Sequence, residues 1–221
     1  SNRISFAICI PRASYITYAF SCFVNKLPKD KDLLIDFKET NSINAINNVV
    51  NSDCNLAIVR YPLIYEDYFL QMIQDKHLQS EDIWQYEYIV LLSLEHPLAL
   101  QETVDYNQLV QGIEILHGDS TTPYLSCGEI KRANQSQEHR NIIYVYERGS
   151  QFDFLQEVPG SYMWASPVPE IVLKHYGLVQ RQCPLANYQY KDILIYNQGY
   201  KLSHLDKTFI EELLKIRNGL S

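Results

Sequence analysis

No Cys-x-x-Cys pair occurs in these 221 residues, although five cysteines do (Cys9, Cys22, Cys54, Cys127, Cys183). Odd in number and scattered, they spell out neither a zinc site nor a disulfide framework, and they suit a reducing cytoplasm. No apolar run reaches membrane-spanning length, and no secretory leader is expected. Basic residues are scarce: 19 Lys and Arg stand against 26 Asp and Glu, a net charge of −7. Phosphate neutralisation needs a basic face, so this segment is not expected to grip nucleic acid by itself. The Gly-x-Ser-x-Gly nucleophile elbow and the His-Glu-x-x-His zinc helix are both missing. Repeats and low-complexity segments are absent too. No catalytic residue, metal ligand or cofactor is therefore predicted, and the chain reads as a non-enzyme.

What is present is ordinary globular composition, 46% apolar and 20% charged, with length for one large domain or two small lobes. Seventeen tyrosines suit polar-rimmed clefts as well as packed cores. Ile4 to Ile10 is a continuous apolar run suited to a buried strand, broken at Pro11. A helix follows, with Ser14 as a candidate cap and Ile16, Phe20, Phe23, Val24 and Leu27 at helical spacing. Leu33 to Lys38 alternates as a second strand. Ser42 precedes a short amphipathic helix, and Asn55 to Val59 is a third strand. This β-α-β-α-β order implies a parallel sheet.

Glu66 to His77 is expected to be helical, and Asp82 to Leu92 holds two apolar stretches, one a crossover strand. A second α/β unit then reads as a helix from Asp105, a strand at Ile113 to Leu116, a helix within Thr121 to Ala133 and a strand at Asn141 to Val145. Further on come a helix at Ser150 to Glu157, a strand at Tyr162 to Ala165 and a helix at Pro169 to Tyr176 closed by Gly177. Asp192 to Tyr196 is a returning strand, and Ser203 to Ile216 is an amphipathic helix. Asn134 to Arg140 is the expected surface loop; its Asn134-Gln-Ser136 triplet matches a glycosylation acceptor by chance. The division is 1–91 plus 191–221 for lobe I and 92–190 for lobe II, with a cleft between them. In open parallel sheets ligands sit beyond the strands' carboxyl ends, among helix N-termini.

Two arginines, Arg12 and Arg60, are the candidate carboxylate clamps, since a guanidinium offers bidentate geometry. Ser14 and Ser42 each either cap a helix or donate to a ligand. His117-Gly-Asp-Ser120 offers a His, an Asp and a Ser, but contiguous residues in an extended segment point different ways and cannot form a relay. Gly118 to Ser120 reads better as an anion nest.

Four segments carry a resemblance that spans nearly the whole chain. They are Pro11-Arg-Ala-Ser14 after the opening strand; Glu39-Thr-Asn-Ser42 with its helix and Asn55-Leu-Ala-Ile58; His96-Pro-Leu-Ala99 after the strand from Glu87; and Val158-Pro-Gly-Ser-Tyr-Met-Trp-Ala-Ser-Pro167. In order and spacing the chain resembles the effector-binding domain of LysR-type transcription regulators. It departs from their pattern where Ser52, Asn55 and Tyr162 stand in place of Gly, Asp and Gly.

The resemblance implies an α/β, two-lobe, type 2 periplasmic-binding-protein-like fold, each lobe a mixed, mostly parallel sheet flanked by helices. It also implies a cytoplasmic sensor of a small, anionic metabolite, working as a homodimer or homotetramer and reaching promoter DNA only through a winged helix-turn-helix that precedes it. Ser1-Asn2 reads as the scar of a removed tag. The implied ligand contacts are Pro11, Arg12, Ala13, Ser14, Ser42, Arg60, Tyr61, His117, Gly118, Asp119, Ser120, Gly160 and Ser161, with His96 a structural corner. The alternative on the same fold is an extracytoplasmic solute-binding protein of a transporter.

Overall fold

Period-two alternation in the first strand decides which layer each side of the sheet belongs to. The computed structural model describes residues 2–135, 140–184 and 189–220. Within β1 (Arg3–Ile10), Phe6, Ile8 and Ile10 point to one core, while Ala7 and Cys9 point to another. Further strands of the same sheet are β2 (Asp32–Glu39), β3 (Leu56–Pro62), β4 (Leu78–Glu87) and β10 (Gln189–Asn197), in the order β2-β1-β3-β10-β4. The pairings β1–β2 and β1–β3 are parallel, and β10 runs antiparallel to β3. On one face lie α1 (Ser14–Asn25) and α8 (His204–Asn218), sealed by Phe6, Phe20, Phe23 and Phe209 with ring centroids 5.1–6.2 Å apart. On the other lie α2 (Ser42–Val50) and α3 (Glu66–Asp75). These elements form one unit, residues 1–86 plus 189–221.

A second unit, residues 87–188, has its own sheet. Its strands are β5 (Ile89–Ser93), β6 (Ile113–His117), β7 (Asn141–Val145), β8 (Ser161–Ala165) and β9 (Leu178–Arg181), ordered β7-β6-β8-β5-β9. β7 and β8 run parallel to β6; β5 is antiparallel to both β8 and β9. Packed with it are α4 (Tyr106–Leu109), α5 (Cys127–Gln135), α6 (Arg148–Glu157) and α7 (Glu170–Tyr176). The boundary expected after residue 91 falls inside β5, which pairs wholly within the second sheet.

Local chemistry corrects several end points. Ser14 does not cap α1: Ala13 is the N-cap and makes no side-chain cap bond. At α2 the cap is Asn41, whose side chain accepts from the Asn44 N–H at 2.9 Å. α5 begins six residues later than the expected Thr121, because Tyr124 holds a left-handed φ of 68° after Pro123. Ser126 and Glu129 then exchange reciprocal side-chain-to-backbone bonds, as in a capping box. Gly177 closes α7 at φ 63°, and Ser203 opens α8 with a full capping box through Asp206. Ser52, at a place where the resembled pattern has Gly, is itself left-handed (φ 61°), so the backbone keeps the geometry while the side chain carries the strain. Most of the expected Asn134 to Arg140 loop lies outside the described residues.

The His96 corner turns the chain after β5. The Leu98 N–H donates to His96 Nδ1 at 3.0 Å, and Arg181 donates to the Ala99 carbonyl through Nε and Nη2. Burial pushes the His96 imidazole below its ordinary value of 6.5, partly offset by the Gly160 carbonyl. The unfolded chain therefore takes up this proton first. The stabilisation is present above the unfolded value and is lost as pH falls below it. Thermal melts of the second unit should accordingly fall more steeply from pH 7 to pH 5 in the native chain than in His96→Asn, whose Oδ1 can still accept the Leu98 N–H. Equal slopes would remove His96 from the acid response.

Candidate functional site

In the first unit the carboxyl ends of β1 and β3 gather Pro11 to Ser14, Ser42 and Arg60. Pro11, Ala13 and Ser14 are buried, and Arg12 and Ser42 are half-buried. The Ser42 hydroxyl donates to the Arg60 carbonyl, tying the first turn of α2 to β3.

Arg60 faces the α1 side of the sheet, directly opposite Asp192 in the β3–β10 register. Its Nε and Nη2 donate to the two Asp192 oxygens at 2.8 and 2.9 Å. Asp192 is fully buried and also accepts from the Tyr15 hydroxyl (2.5 Å) and the Tyr86 hydroxyl (2.8 Å). The guanidinium lies 5.2 Å from the Tyr86 ring centroid. Burial, and then the Asp192 charge, hold the Tyr15 phenol well above its usual range. The fork proposed as a ligand clamp is thus engaged by an internal carboxylate. Tyr61 alternates to the opposite face, where it is fully buried, stacks on Phe69 at 5.2 Å and donates to Glu66 at 2.8 Å. Arg60 is half-buried on its carboxylate, and Tyr61 is fully buried.

The second unit holds a cavity of about 340 Å³ on the sheet face away from α6. Glu114, Leu116, Tyr144 and Trp164 share that face by strand alternation, and α5 covers it with Ile130, Lys131 and Asn134. Three residues expected from the sequence line it: His117, Gly118 and Ser120. A Cβ on Gly118 would meet the tip of the exposed Tyr146 ring at 2.3 Å, so a larger residue there would have to push that ring aside. Ser120 donates to the His117 carbonyl at 3.1 Å, not to its ring. Asp119 is half-buried beside them.

Sequence reasoning missed the charged lining. Glu114, 2% exposed, pairs with Arg140. Lys131 stands 4.8 and 5.1 Å from the Tyr144 and Tyr146 ring centroids, and the Tyr146 hydroxyl raises its ammonium above the ordinary value. A charged residue on an apolar-alternating strand, Glu114, was the available signal. Tyr106 and Trp164 complete the aromatic wall. The volume lies at the small end of ligand pockets.

Gly160 and Ser161 do not join this group. The β6–β8 register sets Ser161 beside Ile113, at the amino end of β6, whereas His117 ends the strand. The Ser161 hydroxyl donates to the Phe154 carbonyl at 2.9 Å, and Gly160 turns at φ 78° with its carbonyl taking the Ile113 N–H. Their work is to close the α6–β8 turn. Among the described residues no group of three or more His, Cys, Asp or Glu could hold a metal, and no helix is long and apolar enough to cross a membrane.

No protein-family model matches the sequence, and no curated protein does. Solved structures do. The MetR regulatory domain of Neisseria meningitidis, a LysR family regulator, superposes with TM-score 0.60 at 11% identity, covering 98% of this chain and 94% of the other. The chain has the fold of a LysR-family regulatory domain. It is α/β, of the two-lobe type 2 periplasmic-binding-protein-like class. Two other LysR-like neighbours carry ligands in their structures. The effector-binding domain of QuiR, in complex with shikimate, gives TM-score 0.58 at 15% identity over 98% of both chains. The regulatory domain of Synechocystis CcmR, in complex with 2-PG, gives 0.58 at 16% identity over 97% and 96%. Relative to the LysR pattern read in the sequence, the second-unit residues His117, Gly118 and Ser120 line a cavity, and Arg60 braces its own strand pair.

Proposed function

We propose that this chain is the ligand-sensing regulatory domain of a cytoplasmic LysR-type transcription regulator, without catalysis of its own. Its effector is a small anionic metabolite, and DNA is reached through a winged helix-turn-helix elsewhere in the protein. The observation that carries the reading is the cavity at the carboxyl end of β6, lined by cations and aromatic rings, in a fold two of whose solved neighbours are in complex with shikimate and with 2-PG. Lys131 and Arg140 outnumber Glu114 there, a local positive balance in a chain of net charge −7. For such a ligand to change DNA contacts in a homodimer or homotetramer, it must favour one arrangement of the protein over another.

The test is a thermal-shift screen of hydroxy acids, aromatic carboxylates and phosphorylated carboxylates. A ligand at a hundred times its dissociation constant stabilises by about 2.7 kcal/mol, a rise of roughly 5–10 °C. Lys131→Ala should abolish most of that rise while lowering the unliganded melt by far less, because half-buried Lys131 contacts only the Tyr144 and Tyr146 side chains and no core cluster. A panel with no stabilising acid, or a hit indifferent to Lys131→Ala, would refute the reading.

A further inference from the structure

The two cysteines that face the α2 core were unremarkable in the sequence, 45 residues apart and in no motif. The fold brings them together. Cys9 on β1 and Cys54, just before β3, lie with their Sγ atoms 3.4 Å apart, the Cys54 thiol directed at Cys9. A second donor reaches the same sulfur, the Asn48 side-chain N–H from α2 at 3.2 Å. Lys38 pairs with Cys9 in the β1–β2 register and adds a cation on that side. Both side chains are nearly inaccessible, 3% and 4% exposed. Two buried thiols with no chemical task would pack as small apolar groups. Here one sulfur instead collects two hydrogen bonds and a nearby positive charge, which favour a thiolate and outweigh the burial and the Asp53 charge that oppose it.

We propose that Cys9 and Cys54 form a redox modification site, closing to a disulfide under a two-electron oxidant such as hydrogen peroxide. Cys9 thiolate attacks one peroxide oxygen; the O–O bond breaks, hydroxide leaves and takes up a proton as water, and Cys9 becomes a sulfenic acid. The Cys54 sulfur then attacks the Cys9 sulfur, its proton and the sulfenic hydroxyl leaving as a second water. Two thiols and one peroxide thus give one disulfide and two waters. The direction of the thiol shifts agrees: the S–H donated by Cys54 lowers Cys9 first, then Asn48 and Lys38, against burial and the Asp53 charge, while Cys54 is raised. The other three differ in kind: Cys127 is exposed, Cys22 is half-buried, and burial raises Cys183. The site lies two residues before Pro11 and touches α2, so it grips the base of the strand end that the first unit offers to a ligand.

The experiment is peptide mapping of the 221-residue chain after stoichiometric hydrogen peroxide, with remaining thiols alkylated in denaturant. The expected product is a Cys9–Cys54 cross-linked peptide that dithiothreitol reverses. It should come with a rise in the melting temperature of roughly 5–10 °C, since the bond closes a long loop. The variant Cys22→Ser/Cys127→Ser/Cys183→Ala must still form it, and in Cys54→Ser dimedone must trap a sulfenic acid on Cys9. Recovery of Cys9 and Cys54 as alkylated thiols while Cys127 is oxidised would overturn the proposal. So would over-oxidation of Cys9 without a cross-link.

Discussion

Asp192→Ala is expected to destabilise the first unit by about 3–5 kcal/mol, the cost of removing one partner of a buried ion pair and stranding the other. The carboxylate is fully buried and serves four donors: Arg60 Nε and Nη2, and the hydroxyls of Tyr15 and Tyr86. Alanine leaves a guanidinium whose side chain is only 10% exposed facing a void, with two phenols to satisfy. The melting temperature should fall by roughly 10 °C or more. Adding Arg60→Met should recover at least half of the loss, because the charge that made the vacancy costly is gone; replacing a whole buried pair is far cheaper than halving it. A single variant costing under about 1 kcal/mol, or a double variant as unstable as the sum of the singles, would contradict this account of the network.

The same residues show what a linear reading could reach. The β1 to β3 order was legible because β1 and β3 are short continuous apolar runs, β2 alternates, the helices hold a 3.6 period, and Pro11 breaks the chain after β1. Arg60 was visible as a functional arginine, but its partner lies 132 residues away on a strand that returns from the second unit, and no local pattern announces such a pairing. Cap assignments failed for a related reason: Ser14, Asn41 and Ser42 are all competent cap residues, and only the backbone decides which one sits outside the first turn. Gly160 and Ser161 were grouped with His117 through a shared resemblance, yet parallel strands have two ends, and register sends them to the other one. β9, four residues long and directly after the Gly177 cap, is too short to show alternation and went unread. Tyr162, standing where the pattern expects glycine, is an ordinary buried strand residue whose phenol burial pushes up to about 12.

Glu114→Gln should move stability and ligand affinity in opposite directions. Glu114 pairs with Arg140 at the edge of the second unit's cavity, their side chains 3% and 17% exposed. Glutamine keeps the shape and an acceptor oxygen but cancels the charge. Because Arg140 retains some contact with solvent, the loss sits below the fully buried limit, about 2 kcal/mol. The effect on anions is the reverse. With Glu114 present, an incoming carboxylate must share Arg140 with a resident carboxylate and be repelled by it. Without it, Arg140 and Lys131 face the ligand together. Removing that competitor is expected to tighten binding about tenfold, equivalent to about 1.4 kcal/mol, measured by calorimetry with the acid that the thermal-shift screen selects. Lys131→Ala should weaken the same ligand, and the two variants combined should bind near the native level if both act through charge alone. An unchanged dissociation constant in Glu114→Gln, alongside the drop in melting temperature, would assign the pair to holding β7 against β6 and would take anion binding away from this cavity.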